Sequence, residues 1–205
     1  IRQIVKDPET ARRLTPTGYP IATKRLPLDQ GYFETFNRDN VSLVDLRETP
    51  IERIVAEGIE TSDRVHPLDA IVFATGFDAL TGPLLRLNLR GRGGETLEAK
   101  WRHGPETYLG VCTRGFPNLF MVTGPGSPSV LGNMPVSIEQ HVDWICACIA
   151  HMRASGSTRV EPTAEAETSW GAHVKELADA TLFPATDSWY MGANVPGKPR
   201  VFLPY

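Results

Sequence analysis

Two adjacent cations, Lys24 and Arg25, stand in the segment Ile21-Ala22-Thr23-Lys24-Arg25-Leu26-Pro27, flanked by apolar residues and bounded by prolines. A compact ammonium suits a phosphate, and a guanidinium keeps its charge and its five-donor fork under all ordinary conditions. By itself, however, adjacent Lys-Arg reads as solvated surface. A second candidate is the loop Gly124-Pro125-Gly126-Ser127-Pro128-Ser129. A strand ending in a glycine-rich turn before a helix leaves backbone N–H groups above the strand's end, where an anion or an electron-rich ring edge fits. The loop mimics the dinucleotide fingerprint as G-x-G-x-x-S. Its third position is Ser, it holds two prolines, and the helix begins too late for the tight pyrophosphate turn. The favoured reading is a loop that closes over the ring end of a cofactor held elsewhere. Trp189 lies in an irregular stretch, where an indole ordinarily anchors a loop to the domain. Gly91-Arg92-Gly93-Gly94 has neither phosphate-cradle spacing. Cys112, Cys146 and Cys148, with His141 and His151, complete no metal-ligand pattern, so no metal is expected.

The elements that must position these residues follow from periodicity. Leu119 to Val122 reads as a short buried strand, and Leu68 to Thr75, LDAIVFAT, as a strand covered on both faces. Ile138, Val142, Ile145, Ile149 and Met152 are spaced by four, three, four and three, one face of a helix that begins near Pro135 with Asn133 as its cap. Pro162-Thr163 opens a second helix with Trp170, Val174, Leu177 and Ala178 on its buried face. Asp7-Pro8-Glu9 starts a short helix that reaches Leu14. Val41–Asp45, Ile51–Val55 and Gly58–Thr61 read as a small β-meander, and Tyr108–Cys112 as a further strand. The fold class is α/β.

At 205 residues and 41% hydrophobic content the chain can bury a core. A net charge of −3 with scattered basic residues argues against a nucleic-acid partner, and no apolar run approaches a membrane span. Three cysteines without a C-x-x-C argue against a disulfide framework and fit a cytoplasmic setting.

The motifs GPGSPSVLGNMPVSIEQHV, DAIVFATGFDALTG and SWYMGANVPGKPR, in the order in which they stand, resemble the C-terminal part of Baeyer–Villiger monooxygenases of the phenylacetone, steroid and cyclohexanone type. The resemblance runs from Ile1 to Tyr205. It implies the C-terminal portion of a flavoprotein with two dinucleotide-binding domains. Residues 1–70 would close the nicotinamide-binding domain and its connector. Residues 71–205 would belong to the FAD-binding domain, with a flexible cofactor-closing loop near 185–200. It implies FAD and NADPH as cofactors and a ketone and O2 as substrates, one oxygen atom being inserted beside the carbonyl to give an ester or lactone. The Lys-Arg pair that precedes Tyr32-Phe33-Glu34-Thr35-Phe36-Asn37-Arg38-Asp39-Asn40 falls in the family's catalytic region. Arg25 would be the catalytic cation, since oxygen attack on a carbonyl builds a tetrahedral oxyanion. Lys24 would contact the 2′-phosphate of NADP, Trp189 the nicotinamide cofactor, and Met134 the flavin through its backbone. Ser129, Val130 and Leu131 would line the ketone pocket. Neither Gly fingerprint for the ADP halves of the cofactors is present, nor the family's F-x-G-x-x-x-H. The sequence therefore reads as roughly the last two-fifths of such an enzyme, inactive alone. A flavin-dependent N- or S-oxygenase and a non-catalytic binding remnant are the alternatives.

Overall fold

The computed structural model describes residues 1–127, 132–192 and 195–200, which form two compact units: 1–19 with 25–76, and 20–24 with 77–205. In the first unit, α1 (Pro8–Leu14) starts as its sequence requires. Asp7 accepts from the Thr10 N–H at 2.7 Å, Pro8 fills the first turn, and Glu9 pairs with Arg12 and Arg13. Those two guanidiniums, bonded to its carboxylate, hold Glu9 down to about 2. The Tyr32–Asn40 stretch contains one helical turn, α2 (Tyr32–Thr35). Two residues beyond it, the Asn37 side chain accepts from Lys6 N–H at 2.8 Å and donates to Ile4 O at 2.9 Å, tying this stretch to the start of the chain.

A three-stranded antiparallel sheet in the order β1 (Ile51–Val55), β2 (Gly58–Thr61), β3 (Val65–Pro67) completes the unit. Val55 faces Gly58 across a two-residue turn, and Ile59 faces His66. Gly58 sits at φ +151, and a Cβ there would run into the His66 carbonyl, so the register depends on glycine. The meander is present but displaced along the chain by one strand. Val41–Asp45 is not a strand, and the third member is Val65–Pro67.

In the second unit, α3 (Gly82–Arg86) and α4 (Leu97–Lys100) surround a core of Leu97, Trp101, Phe116 and Met121. Two long helices follow, α5 (Met134–Ser155) and α6 (Ala164–Asp179), which are the two main helices expected from the sequence. Gly156 ends α5 in the left-handed region and Thr163 caps α6 through the Ala166 N–H. Val174 and Ala178 of α6 pack with Phe183, Tyr190 and Met191 into a second core. Glu167 is buried on the same helix. It accepts from Lys100 Nζ at 2.9 Å, Thr113 Oγ1 at 3.0 Å and the Arg114 N–H at 2.8 Å, welding α6 to α4 and to the 113–114 turn. Burial pulls the Lys100 ammonium pKa down, and the bonds and charges of Glu167 and Glu106 more than reverse this.

Besides Val41–Asp45, three further expected strands are absent. Leu68 N–H still reaches Glu57 O at 3.0 Å, but residues 69–75 run without ladder bonds to any described residue, with Val72 88% and Phe73 70% exposed. A strand exists only where a neighbour accepts its N–H groups. Tyr108–Cys112 is a tight turn closed by one isolated bridge, because Leu109 and Gly110 both take positive φ. Residues 119–122 then find no straight partner. Met121 N–H reaches Val111 O at 2.7 Å and Gly124 N–H reaches Gly110 O at 3.1 Å, two bonds that do not make a ladder. The expected buried face of α5 is also largely uncovered: Ile138 is 39% and Val142 42% exposed, and only His141 is buried.

Candidate functional site

The loop from Thr123 to Ser127 is fixed from all sides by its neighbours. Thr107 Oγ1 donates to Pro125 O at 2.7 Å, and Trp170 Nε1 of α6 donates to Gly126 O at 3.0 Å. Thr123 N–H donates to His141 Nδ1 of α5 at 3.0 Å, which places the proton of the neutral imidazole on Nε2. Burial lowers the pKa of this histidine and keeps it neutral. Gly126, at φ +79, lets the loop pass within contact of Thr107, and a Cβ at Gly110 would overlap the Ser127 side chain. The donors correct the expectation of unpaired N–H groups here. Those of Thr123, Gly124 and Ser127 bond to His141, Gly110 O and Gly124 O. These three N–H groups are therefore not free to bind an anion.

Beyond Ser127, the expected pocket residues Ser129, Val130 and Leu131 lie outside the described residues. Met134 is the first residue of α5 and half-buried. Pro135 fixes the first turn, while the expected cap Asn133 makes no side-chain bond to it. A helix start of this kind offers the positive end of 22 aligned peptide units without a side-chain acceptor from its own cap. Beside the loop lies a cavity of about 310 Å³ lined by Leu109, Val111, Ser127, His141, Trp144 and Trp170 among others.

Lys24 is presented by a pinned turn. Ala22 takes φ +64, a region costly for any residue with a Cβ, and the buried Thr23 donates its hydroxyl to Pro20 O at 2.7 Å. Lys24 is half-buried at the end of this turn. Arg25 is exposed and makes no ion pair with a described residue. The two neighbours fall in different compact units, Lys24 with α5, α6 and the C-terminal segment, Arg25 with the sheet. Trp189 opens a 3-10 turn, Trp189–Met191, whose Tyr190 N–H bonds to Ser188 Oγ. Its indole is half-buried against the Val174 core, 4.5 Å centroid to centroid from the Tyr190 ring. No group of metal-ligating side chains occurs among the described residues.

Several residues of this site escaped the sequence reading: Thr23, Thr107, Gly110, His141 as a loop anchor, and Glu167. Two of them left a signal. His141 lies on the same stripe as Ile138, Val142 and Ile145, and Glu167 lies on the Trp170–Val174 face of α6. A polar residue on an apolar stripe must be hydrogen-bonded there. Thr23, Thr107 and Gly110 left none, because their roles depend on contacts distant in sequence.

Over its whole length the chain is homologous to the C-terminal part of Baeyer–Villiger monooxygenases. It is 47% identical over 207 aligned residues to an acetone monooxygenase (methyl acetate-forming) of Gordonia sp. (strain TY-5), covering all of this chain and 39% of that protein. It is 48% identical to a phenazine N-monooxygenase of Lysobacter antibioticus, of which it covers 37%. Among solved structures, a complex of OTEMO with FAD and NADP matches 99% of this chain and 37% of its own, at 41% identity and a TM-score of 0.93. The chain thus spans about two-fifths of the curated relatives it matches. No family model matches it.

Proposed function

We propose that, in the full-length protein that carries it, this chain forms the oxygen-transfer and cofactor-closing part of an FAD- and NADPH-dependent monooxygenase. The reaction inserts one atom of O2 next to a ketone carbonyl and gives an ester or lactone. The observation that supports this reading is that one alignment, 47% identical, covers all of this chain and so spans Lys24-Arg25, residues 123–134 and the Ser188–Arg200 stretch together. The partners we assign are a small ketone, O2 and the two cofactors, with no nucleic acid or membrane; no helix among the described residues is long and apolar enough to cross one. Free cysteines at 112, 146 and 148 are in keeping with a cytoplasmic protein.

The donor set suits the ring and ribose-phosphate ends of such cofactors better than a pyrophosphate. The loop N–H groups of Thr123, Gly124 and Ser127 are used internally, whereas the start of α5 lacks a side-chain cap and Lys24 is a half-buried ammonium. Flavin and nicotinamide, when bound, supply the hydride and oxygen-activating chemistry. The residues of this chain supply binding and charge. Met134 offers its backbone at the helix start to a ring edge. Lys24 holds a 2′-phosphate as a point charge. Trp189 covers the nicotinamide end and excludes water. Arg25 stabilises the oxyanion that forms on the ketone oxygen, because its guanidinium cannot lose its charge. Ser129, Val130 and Leu131 set which ketone fits. Residues 1–70 and 71–205 are assigned to the ends of the nicotinamide and flavin domains.

Arg25→Ala in the full-length protein tests the reading. Flavin reduction by NADPH should stay near the parent rate while ester formation is lost. An unchanged ester yield would remove Arg25 from the mechanism. A second reading, oxidation of a ring nitrogen or sulfur in place of a ketone, is favoured by the 48% identity to the phenazine N-monooxygenase.

A further inference from the structure

The C-terminal segment that carries Trp189 is held by two ion pairs the motif does not announce. Arg200 pairs with Asp187 and donates to Pro184 O at 3.4 Å, so the end of the segment returns to its beginning. Lys198 points elsewhere. Its Nζ donates to Asp78 Oδ1 at 2.5 Å and to Ala79 O, more than a hundred residues earlier in the chain. The Lys198 side chain is only 11% exposed and Asp78 38%. They form one wall of a cavity of about 300 Å³, with Thr81, Trp101, Gly192 and Val195 among the other lining residues. Gly82 makes the arrangement possible, since a Cβ there would overlap the Asp78 carboxylate.

An ammonium so enclosed cannot stay without acceptors, and a charge-assisted bond is about twice as strong as a neutral one. The Trp189–Met191 turn has a second point of attachment, with Tyr190 and Met191 buried against Val174 and Ala178. Two anchors, one on each side of Gly192, thus define where the segment lies.

We propose that Lys198 and Asp78 are a positioning pair: their bond sets the path of the Val195–Arg200 segment and, through it, the placing of Trp189 against the nicotinamide cofactor. This rests on the monooxygenase reading above. Neither residue touches reacting atoms, so their loss should act on coupling and not on hydride transfer.

The test uses the full-length protein and its Lys198→Met, Asp78→Asn and Gly82→Ala variants, read by hydrogen exchange of the 195–200 peptide and by ester formed per NADPH consumed. Loss of a charge-assisted bond predicts exchange about tenfold or more faster in that peptide. Ester per NADPH should fall while the flavin reduction rate holds, and Lys198→Arg should restore part of both. Gly82→Ala leaves both partners in place and should reproduce the effect by displacing Asp78. Unchanged exchange in all three variants would overturn the pair. Faster exchange with unaltered coupling would overturn its role in placing Trp189. Were the parent protein to make no ester from any ketone, the monooxygenase reading would fail, and the exchange data would still decide the pair.

Discussion

Lys24 stands at the end of a turn that the chain strains to make, with Ala22 left-handed and Thr23 buried and bonded to Pro20 O. Strain of this kind persists only where the surroundings hold it, and here it fixes the backbone from which Lys24 projects. If that ammonium meets the 2′-phosphate of NADP, Lys24→Ala removes one charge-assisted contact. The expected loss is about 1.5 to 3 kcal/mol, or tenfold to a hundredfold in the KM for NADPH. NADH, which lacks the phosphate, should be almost unaffected. Steady-state kinetics with both nicotinamides check this, and equal harm to both would make Lys24 a structural residue. The pair Lys24-Arg25 was visible as two letters, but its meaning came from resemblance, because composition alone reads such a pair as solvated surface. The turn beneath it could not be read, since neither an alanine at positive φ nor a buried threonine breaks a local rule in the sequence.

At the scale of elements, α5 and the 123–127 loop act as one body because Thr123 N–H bonds to His141 Nδ1. An unfolded imidazole titrates near 6.5, and burial holds that of His141 below this value. Above the unfolded pKa the histidine is neutral in both states and adds no pH dependence. As pH falls through 6.5 the unfolded chain takes up the proton first, so stability declines toward the folded pKa. The prediction is that lowering pH from about 7.5 to 5.5 costs the parent protein more thermal stability than His141→Gln, whose amide oxygen can still accept from Thr123. Parallel pH profiles would exclude this anchor. The helix itself was legible from its period and its proline, and so was the opening of α6 at Thr163. The three strands were not. Their apolar runs are real, but a run specifies only what must be covered, and residues 69–75 find no ladder partner among the described residues. For 108–112 the failure is local, since Leu109 at φ +57 is not a residue that announces a turn.

Across the whole molecule the apolar pattern and the observed burial diverge in the same sense. Val72 and Phe73 are 88% and 70% exposed, and the Ile138–Val142 stripe is half open, although the sequence marks both for a core. Periodicity reports a face, and only packing decides whether that face is inside. The chain spans about two-fifths of its curated relatives, so the cofactor contacts proposed for Lys24, Met134 and Trp189 would be one part of a larger constellation. The sequence holds neither Gly fingerprint, the pyrophosphate of either cofactor needs a backbone cradle, and in the 123–127 loop the N–H groups of Thr123, Gly124 and Ser127 are bonded inward. The central claim is the transfer of one oxygen atom to a ketone. Its most direct test is mass analysis of the products that the full-length protein forms from small ketones, with NADPH, under ¹⁸O₂. The account predicts esters or lactones carrying one ¹⁸O atom each, with water as the fate of the other. Ketones recovered unchanged, with ¹⁸O appearing only in N-oxides or S-oxides of added amines and sulfides, would contradict it.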